Sequence, residues 1–242
     1  MRELEGTSRR AFIRATAVMG AGLLLPGCAM TGQVTAGQPK SERSPQAEEK
    51  VSPVEDLMRE HGVLKRVLLV YGEAARRIEA REDLPTEQVA DGAGIIRSFI
   101  EDYHEKLEEE HLFPRFRKAA KLVDLVEVLL EQHRGGRQLT DKTLGLAKAQ
   151  ALTKPEDRRA LADSLRQFVR MYGPHEARED TVLFPAFHDV VGATEYDDLG
   201  EEFEKKEQEL FGEHGFEKMV ERVAAMEKVL GIYDLKQFTP RV

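Results

Sequence analysis

Apolar residues recur along this chain at intervals of three and four in five long stretches, the spacing that gives a helix one apolar face. The first carries Leu57, Met58, His61, Leu64, Val67, Leu68 and Tyr71, and Ser52-Pro53-Val54-Glu55 opens it with a capping serine, a first-position proline and a glutamate that completes a capping box. Asp83-Leu84-Pro85-Thr86 breaks the pattern, and a second helix is predicted from about 86 to 113, with Ile96, Phe99, Ile100, Tyr103, His104, Leu107, Glu108 and His111 facing inward. Pro114 is expected to end or kink it. A third helix, about 118 to 149, carries Leu122, Leu125, Val126, Leu129, Leu130 and His133, then Gly135-Gly136, which weakens the helix but leaves room for a close neighbour. A fourth starts at Thr153-Lys154-Pro155-Glu156, read as another capping box, and reaches about 187. It holds Leu161, Leu165, Phe168, Val169, Tyr172, His175 and Glu179, with Pro174 predicted to kink it. A single fifth helix, about 197 to 230, carries Phe203, Leu210, Phe216, Met219, Val220, Val223 and Leu230 and would pack on the others or form a dimer contact, while the tail at 235–240 reads as irregular. The expectation is an all-α chain.

Before the first helix the pattern is different. Residues 29–52 are rich in Gly, Gln, Pro, Ser and charge with no apolar period, as in a flexible tether. Ser8-Arg9-Arg10-Ala11-Phe12-Ile13-Arg14, followed by the apolar run from Ala15 to Leu25, resembles a twin-arginine export signal. Leu25-Pro26-Gly27-Cys28 resembles a lipobox, which implies Cys28 as the lipid-modified first residue of a mature chain. These resemblances imply the twin-arginine export machinery as a partner and a periplasmic or cell-envelope location. Membrane attachment would come only through a lipid anchor. The division expected is a signal at 1–28, a tether at 29–52, a helical domain at 53–190 and a C-terminal helix with tail at 191–242.

Composition narrows the function classes. At 242 residues the chain is long enough for one full core, although its hydrophobic content of 41% is slightly below the usual globular range. The net charge of −8 argues against a nucleic-acid partner, whose phosphates require clustered Lys and Arg. A single cysteine excludes an intramolecular disulfide and any cysteine-based metal cluster.

The candidate chemistry lies in a repeat. His104-Glu105-Lys106-Leu107-Glu108-Glu109-Glu110-His111-Leu112-Phe113-Pro114-Arg115-Phe116 returns further along the chain as His175-Glu176-Ala177-Arg178-Glu179-Asp180-Thr181-Val182-Leu183-Phe184-Pro185-Ala186-Phe187. His61 and His133, upstream of the two copies, fall into nearly the same register. Each copy thus supplies a His and then a His-x3-Glu, whose two side chains share one helix face. Four imidazoles and two carboxylates converging in a bundle core suit iron, manganese or zinc. Buried carboxylates need neutralising, which a pair of divalent cations would do. By the symmetry of the repeat, His61 and His104 bind one metal, His133 and His175 the other, and Glu108 and Glu179 bridge.

The whole pattern, with Leu-Phe-Pro after each His-x3-Glu, resembles the hemerythrin-like (HHE cation-binding) family over about 53 to 190. The resemblance implies an up-down-up-down four-helix bundle of hemerythrin type around two iron ions, oxo- or hydroxo-bridged, with manganese or zinc ranked after iron. Ferritin-like sites take a Glu-x-x-His motif from each of two helices together with further glutamates, and that carboxylate-rich arrangement is absent, since Glu-x-x-His occurs only in the second predicted helix. Oxygen-carrying hemerythrins use five His and an Asp in the second copy. This chain, with four His and two Glu, is closer to the hemerythrin-like proteins. The implied function is binding of dioxygen, or sensing or storage of oxygen or iron. An enzyme acting on peroxide or nitric oxide or donating iron for cluster repair stays open, as does a structural metal site in an interaction module. His111 shares the face of His104 and Glu108 and is either a fifth ligand or a neighbour of the ligands, though its counterpart Val182 points to packing. Tyr103 and Tyr172 lie within a turn of ligand His, as ligand partners or as core. His188 and His214 match nothing in the repeat and read as surface or hydrogen-bonding residues.

Overall fold

Ser52 accepts a hydrogen bond from the Glu55 backbone N–H (3.3 Å) and, with Pro53 in the first turn, starts α1 (Pro53–Ala80) in the computed structural model. The structure describes residues 51–148 and 151–241. Arg9, Arg10 and Cys28, and with them the export and lipidation expectations, lie outside the described residues. Ser52–Val242 forms one compact unit, which includes the C-terminal segment.

All regular structure among the described residues is helical. After the left-handed turn at Arg81 (φ 56°), α2 runs over residues 86–118 as one helical stretch of varying pitch. Its Ile96–His104 and Glu108–Leu112 segments are π-helical. Helix α2 therefore continues through Pro114, and α3 (Val123–Leu146) starts later than expected, because Ala120 (φ 50°) and Leu122 (φ 52°) turn the chain between them. Helix α4 spans residues 155–183, α-helical over Pro155–Arg178 and π-helical over Glu179–Leu183. Its start departs from the capping-box expectation: the cap position is Lys154, with no side-chain cap bond, and Thr153 belongs to a preceding 3-10 turn, Ala151–Thr153. The helix carries Pro174 within it, after Gly173, where no Cβ crowds the proline ring.

The predicted single fifth helix is two, α5 (Ala193–Phe211) and α6 (Gly215–Val229). Gly212 (φ 72°) and His214 (φ 62°) adopt left-handed backbone between them, and the Glu207 carboxylate accepts the Phe216 N–H (2.7 Å) at the start of α6. A Cβ on Gly215 would stand 2.7 Å from both Glu207 Oε1 and Phe211 Cβ, so the close return of the chain depends on glycine there.

Helix α1 packs against α2, α4, α5 and α6, while α3 packs against α2 and α4. Being covered on several sides, α1 buries more than the predicted stripe: Glu60, Val63 and Val70 are buried as well. Tyr71, Phe99, Phe168, Phe203 and Val223 fill the core, each such side chain contributing roughly 1.5–3 kcal/mol by leaving water. Arg66 clamps α6 by a fork of hydrogen bonds to Glu227 (2.6 and 3.0 Å).

Candidate metal centre

The local chain path at each His-x3-Glu follows from the Leu-Phe-Pro after it. Proline lacks an N–H, and its ring presses on the carbonyl four residues back. Both copies relieve this with a wider turn immediately before the proline: the Phe113 N–H bonds Glu108 O, and the Phe184 N–H bonds Glu179 O (2.9 Å), each five residues back. The two phenylalanines then cross between copies. Phe113 stacks on His133 (5.6 Å between ring centres) and Phe184 on His61 (5.4 Å), so each copy roofs a histidine of the other.

The six predicted ligands come together. His61, His104, Glu108, His133, His175 and Glu179 are all at most 4% exposed. Ligand atoms of His61, His104 and Glu108 lie within 4.8 Å of one another, and those of His133, His175 and Glu179 do the same. The carboxylates also reach across. Glu179 Oε2 is 3.4 Å from His61 Nε2, and its Oε1 is 3.1 Å from His175 Nε2. Glu108 Oε2 is 3.8 Å from His104 Nε2 and 3.5 Å from His133 Nε2. Each carboxylate thus touches one imidazole of either pair.

All four Nε2 atoms face this point because all four Nδ1 atoms are held behind it. Nδ1 of His61 meets Asp180 (2.7 Å), that of His104 meets Glu60 (2.8 Å), that of His133 meets Glu109 (3.1 Å), and that of His175 meets Gln132 (2.9 Å). An acceptor at Nδ1 fixes the tautomer with the proton outward and the Nε2 lone pair inward, the form that ligates a metal. Lys65 bonds Asp180 (3.0 Å), and Arg137 bonds Glu109 (2.8 Å) and pairs with Glu105 (2.7 Å). None of these supporting residues was singled out from sequence. The signal was there: Glu60 and Gln132 precede the lone His of each copy, Glu109 and Asp180 follow each Glu, and Lys65 and Arg137 each stand one helical turn after the lone His, in the register of the repeat.

The electrostatics call for a cation. Both carboxylate oxygens of Glu108, both of Glu179 and Nε2 of His133 are buried without a hydrogen-bond partner, an arrangement that costs about 1–3 kcal/mol per group when nothing compensates it. Burial, then the facing charge of Glu179, raises Glu108 well above the usual carboxylate range. Burial would raise Glu179 too, but the charge and contact of His175, and then of His61, hold it well below that range. Burial, reinforced by His61, lowers His104 to about 3, and burial lowers His133 to about 4 against the pull of Glu109. In His61, burial opposes the charge, yet Asp180 and Glu179 outweigh it and raise the pKa to about 9. A positive charge at the centre is therefore favoured even as a proton. Four nitrogens and two carboxylates without sulfur fit iron, manganese or zinc.

The remaining candidates lie elsewhere. His111 points to α5, with Nδ1 3.8 Å from Glu202 and its ring edge-on to Phe203 (5.4 Å), which fits packing and not ligation. Tyr103 also faces α5, its hydroxyl 3.5 Å from Phe203 O. Tyr172 lies beside His175 (5.2 Å between ring centres), and its hydroxyl donates to Glu105 (2.6 Å). His188 stacks on Tyr196 (3.8 Å), and His214 lies 4.0 Å from Glu217.

Residues 52–151 match the hemerythrin HHE cation binding domain. Three mycobacterial relatives, one from Mycobacterium bovis and two from strains of Mycobacterium tuberculosis, are each 50% identical over 204 residues, covering 84% of this chain and 80% of the relative. All three are described only as uncharacterized proteins. No solved structure matches the chain. The chain thus belongs to one family with these half-identical mycobacterial proteins, and its residues 52–151 are a hemerythrin HHE cation binding domain.

Proposed function

We propose that the chain is a di-iron protein whose α1 to α4 form an up-down-up-down bundle, and that it binds dioxygen, or senses or stores oxygen or iron. His61 and His104 would hold one ion and His133 and His175 the other, with Glu108 and Glu179 bridging. The observation that carries this reading is that each carboxylate reaches an imidazole of both pairs, at 3.1 to 3.8 Å. Iron held there would supply a change of oxidation state and Lewis acidity toward a small ligand. The protein supplies the rest. Asp180, Glu60, Glu109 and Gln132 orient the imidazoles, and Phe113 and Phe184 shield two of them. Ligands at most 4% exposed favour a diatomic or peroxide-sized partner over a bulky substrate. We further propose export by the twin-arginine route and tethering through Cys28, supported by the sequence around Arg9, Arg10 and Cys28.

The test is an optical titration of anaerobically purified, reduced protein. New near-ultraviolet and visible absorption on adding oxygen, lost again on its removal, supports a binding protein. Steady consumption of peroxide or nitric oxide with a reductant would make it an enzyme. Zinc in place of iron, with no spectral change, would make the site structural.

A further inference from the structure

Behind their lone histidines the two copies place matching acceptors, and behind the motif histidines the acceptors differ in charge. Lys65–Asp180–His61 in one half corresponds to Arg137–Glu109–His133 in the other, a cation and a carboxylate behind each imidazole. The second imidazole of each half breaks the match. His104 Nδ1 meets the carboxylate of Glu60 (2.8 Å), whereas His175 Nδ1 meets the neutral amide of Gln132 (2.9 Å). Glu60 and Gln132 occupy equivalent places in the repeat, each directly before the lone His of its copy. The difference extends one turn back. Asp56 and Glu207 gather beside Glu60, with ligand atoms within 4.8 Å of one another, while the residue equivalent to Asp56 is Val128, half exposed on the outside of α3.

A carboxylate behind an imidazole makes it a more basic ligand than an amide does, and removing such a partner typically costs 10- to 100-fold in metal affinity. Resting on the two-metal reading above, we propose that the two metal positions are inequivalent. The His61–His104 position fills first with a divalent cation and holds it more tightly, and the His133–His175 position, backed by Gln132, is the one that exchanges its ion. Gln132 is then a positioning residue that keeps one metal labile. The shared bridges Glu108 and Glu179 remain common to both positions, so the difference comes from behind the histidines.

Zinc titration of the metal-free full chain, labelled with 15N in its histidines, tests this, because zinc is diamagnetic and ligation shifts each imidazole Nε2 separately. The expected result is that His61 and His104 shift at roughly tenfold lower zinc than His133 and His175. Gln132→Glu should close that gap by tightening the second position, and Glu60→Gln should close it by weakening the first. Gln132→Glu keeps the test decisive if Glu60→Gln does not fold. All four imidazoles moving together in the wild type, or the reverse order, would overturn the inequivalence alone, and an unchanged gap in Gln132→Glu would overturn the role given to Gln132. No imidazole responding to zinc at any concentration would overturn it together with the metal reading beneath it.

Discussion

Glu105 and Glu176 follow the two motif histidines at matching places, and burial raises the pKa of both. Glu105 is held by the Tyr172 hydroxyl (2.6 Å) and by Arg137 (2.7 Å). Glu176 is 3% exposed and has a carboxylate oxygen without a hydrogen-bond partner. Burial raises its pKa from 4.5 to about 7, with Lys65 only partly opposing. Its folded pKa lies above its unfolded one, so the folded state gains from the proton. That contribution is complete below about 4.5 and is lost as pH rises to about 7. Glu176→Gln should therefore raise stability by on the order of 1–3 kcal/mol at pH 8 and by little at pH 4.5. Chemical denaturation at the two values, with chelator present so that metal loading does not enter, checks it. An equal effect at both pH values would place the cost in shape and not in charge. At the bridge, Glu108→Ala should lose both metals, whereas His104→Ala should weaken one. A Glu108→Ala protein that retains both at full affinity would rule out the bridging assignment.

At the scale of the helices, space between α3 and α4 is set by one glycine. A Cβ on Gly136 would stand 2.1 Å from the Tyr172 hydroxyl, so Gly136→Ala must displace that ring and its bond to Glu105. Overpacking of this kind costs about 1–3 kcal/mol, more than the ~0.5–1 kcal/mol that alanine gains over glycine in a helix. Gly72, exposed in the middle of α1 with nothing within 4 Å, should gain from the same substitution. Thermal melts of Gly136→Ala and Gly72→Ala should therefore shift in opposite directions. The close approach at Gly136 was legible in the sequence, as was the convergence of the six proposed ligand residues, because a repeated His-x3-Glu is rare by chance, whereas Leu210, counted on the apolar stripe of the fifth helix, is 49% exposed. The acceptors behind the histidines were harder to see, since Glu60, Glu109 and Asp180 resemble the polar face of any helix until the partner helix is in place. The π turns were hidden because a pattern of threes and fours does not register one extra residue per turn. The break between α5 and α6 falls where the apolar spacing lapses, with Glu213 and His214 three and four residues after Leu210 and Gly212 and Gly215 flanking them, a signal that the single-helix reading passed over.

In the whole molecule, the buried acids and imidazoles of the centre work against folding unless a cation joins them, and the surrounding aromatic core supplies the offsetting stability. Metal binding is then linked to folding: a ligand held only by the folded state stabilises it by about 2.7 kcal/mol at a hundredfold excess over its Kd. Chelation should lower the melting temperature of the wild type markedly. It should leave that of a His61→Ala, His133→Ala double variant nearly unchanged, as read by circular dichroism at the helical minimum. Whether the centre holds a pair of metals is decided by iron per chain, from elemental analysis of full-length protein purified without oxygen. Two irons are expected in the wild type and close to none in Glu108→Ala. A helical wild type that holds no iron, or a Glu108→Ala variant that holds as much as the wild type, would contradict the paired-metal centre.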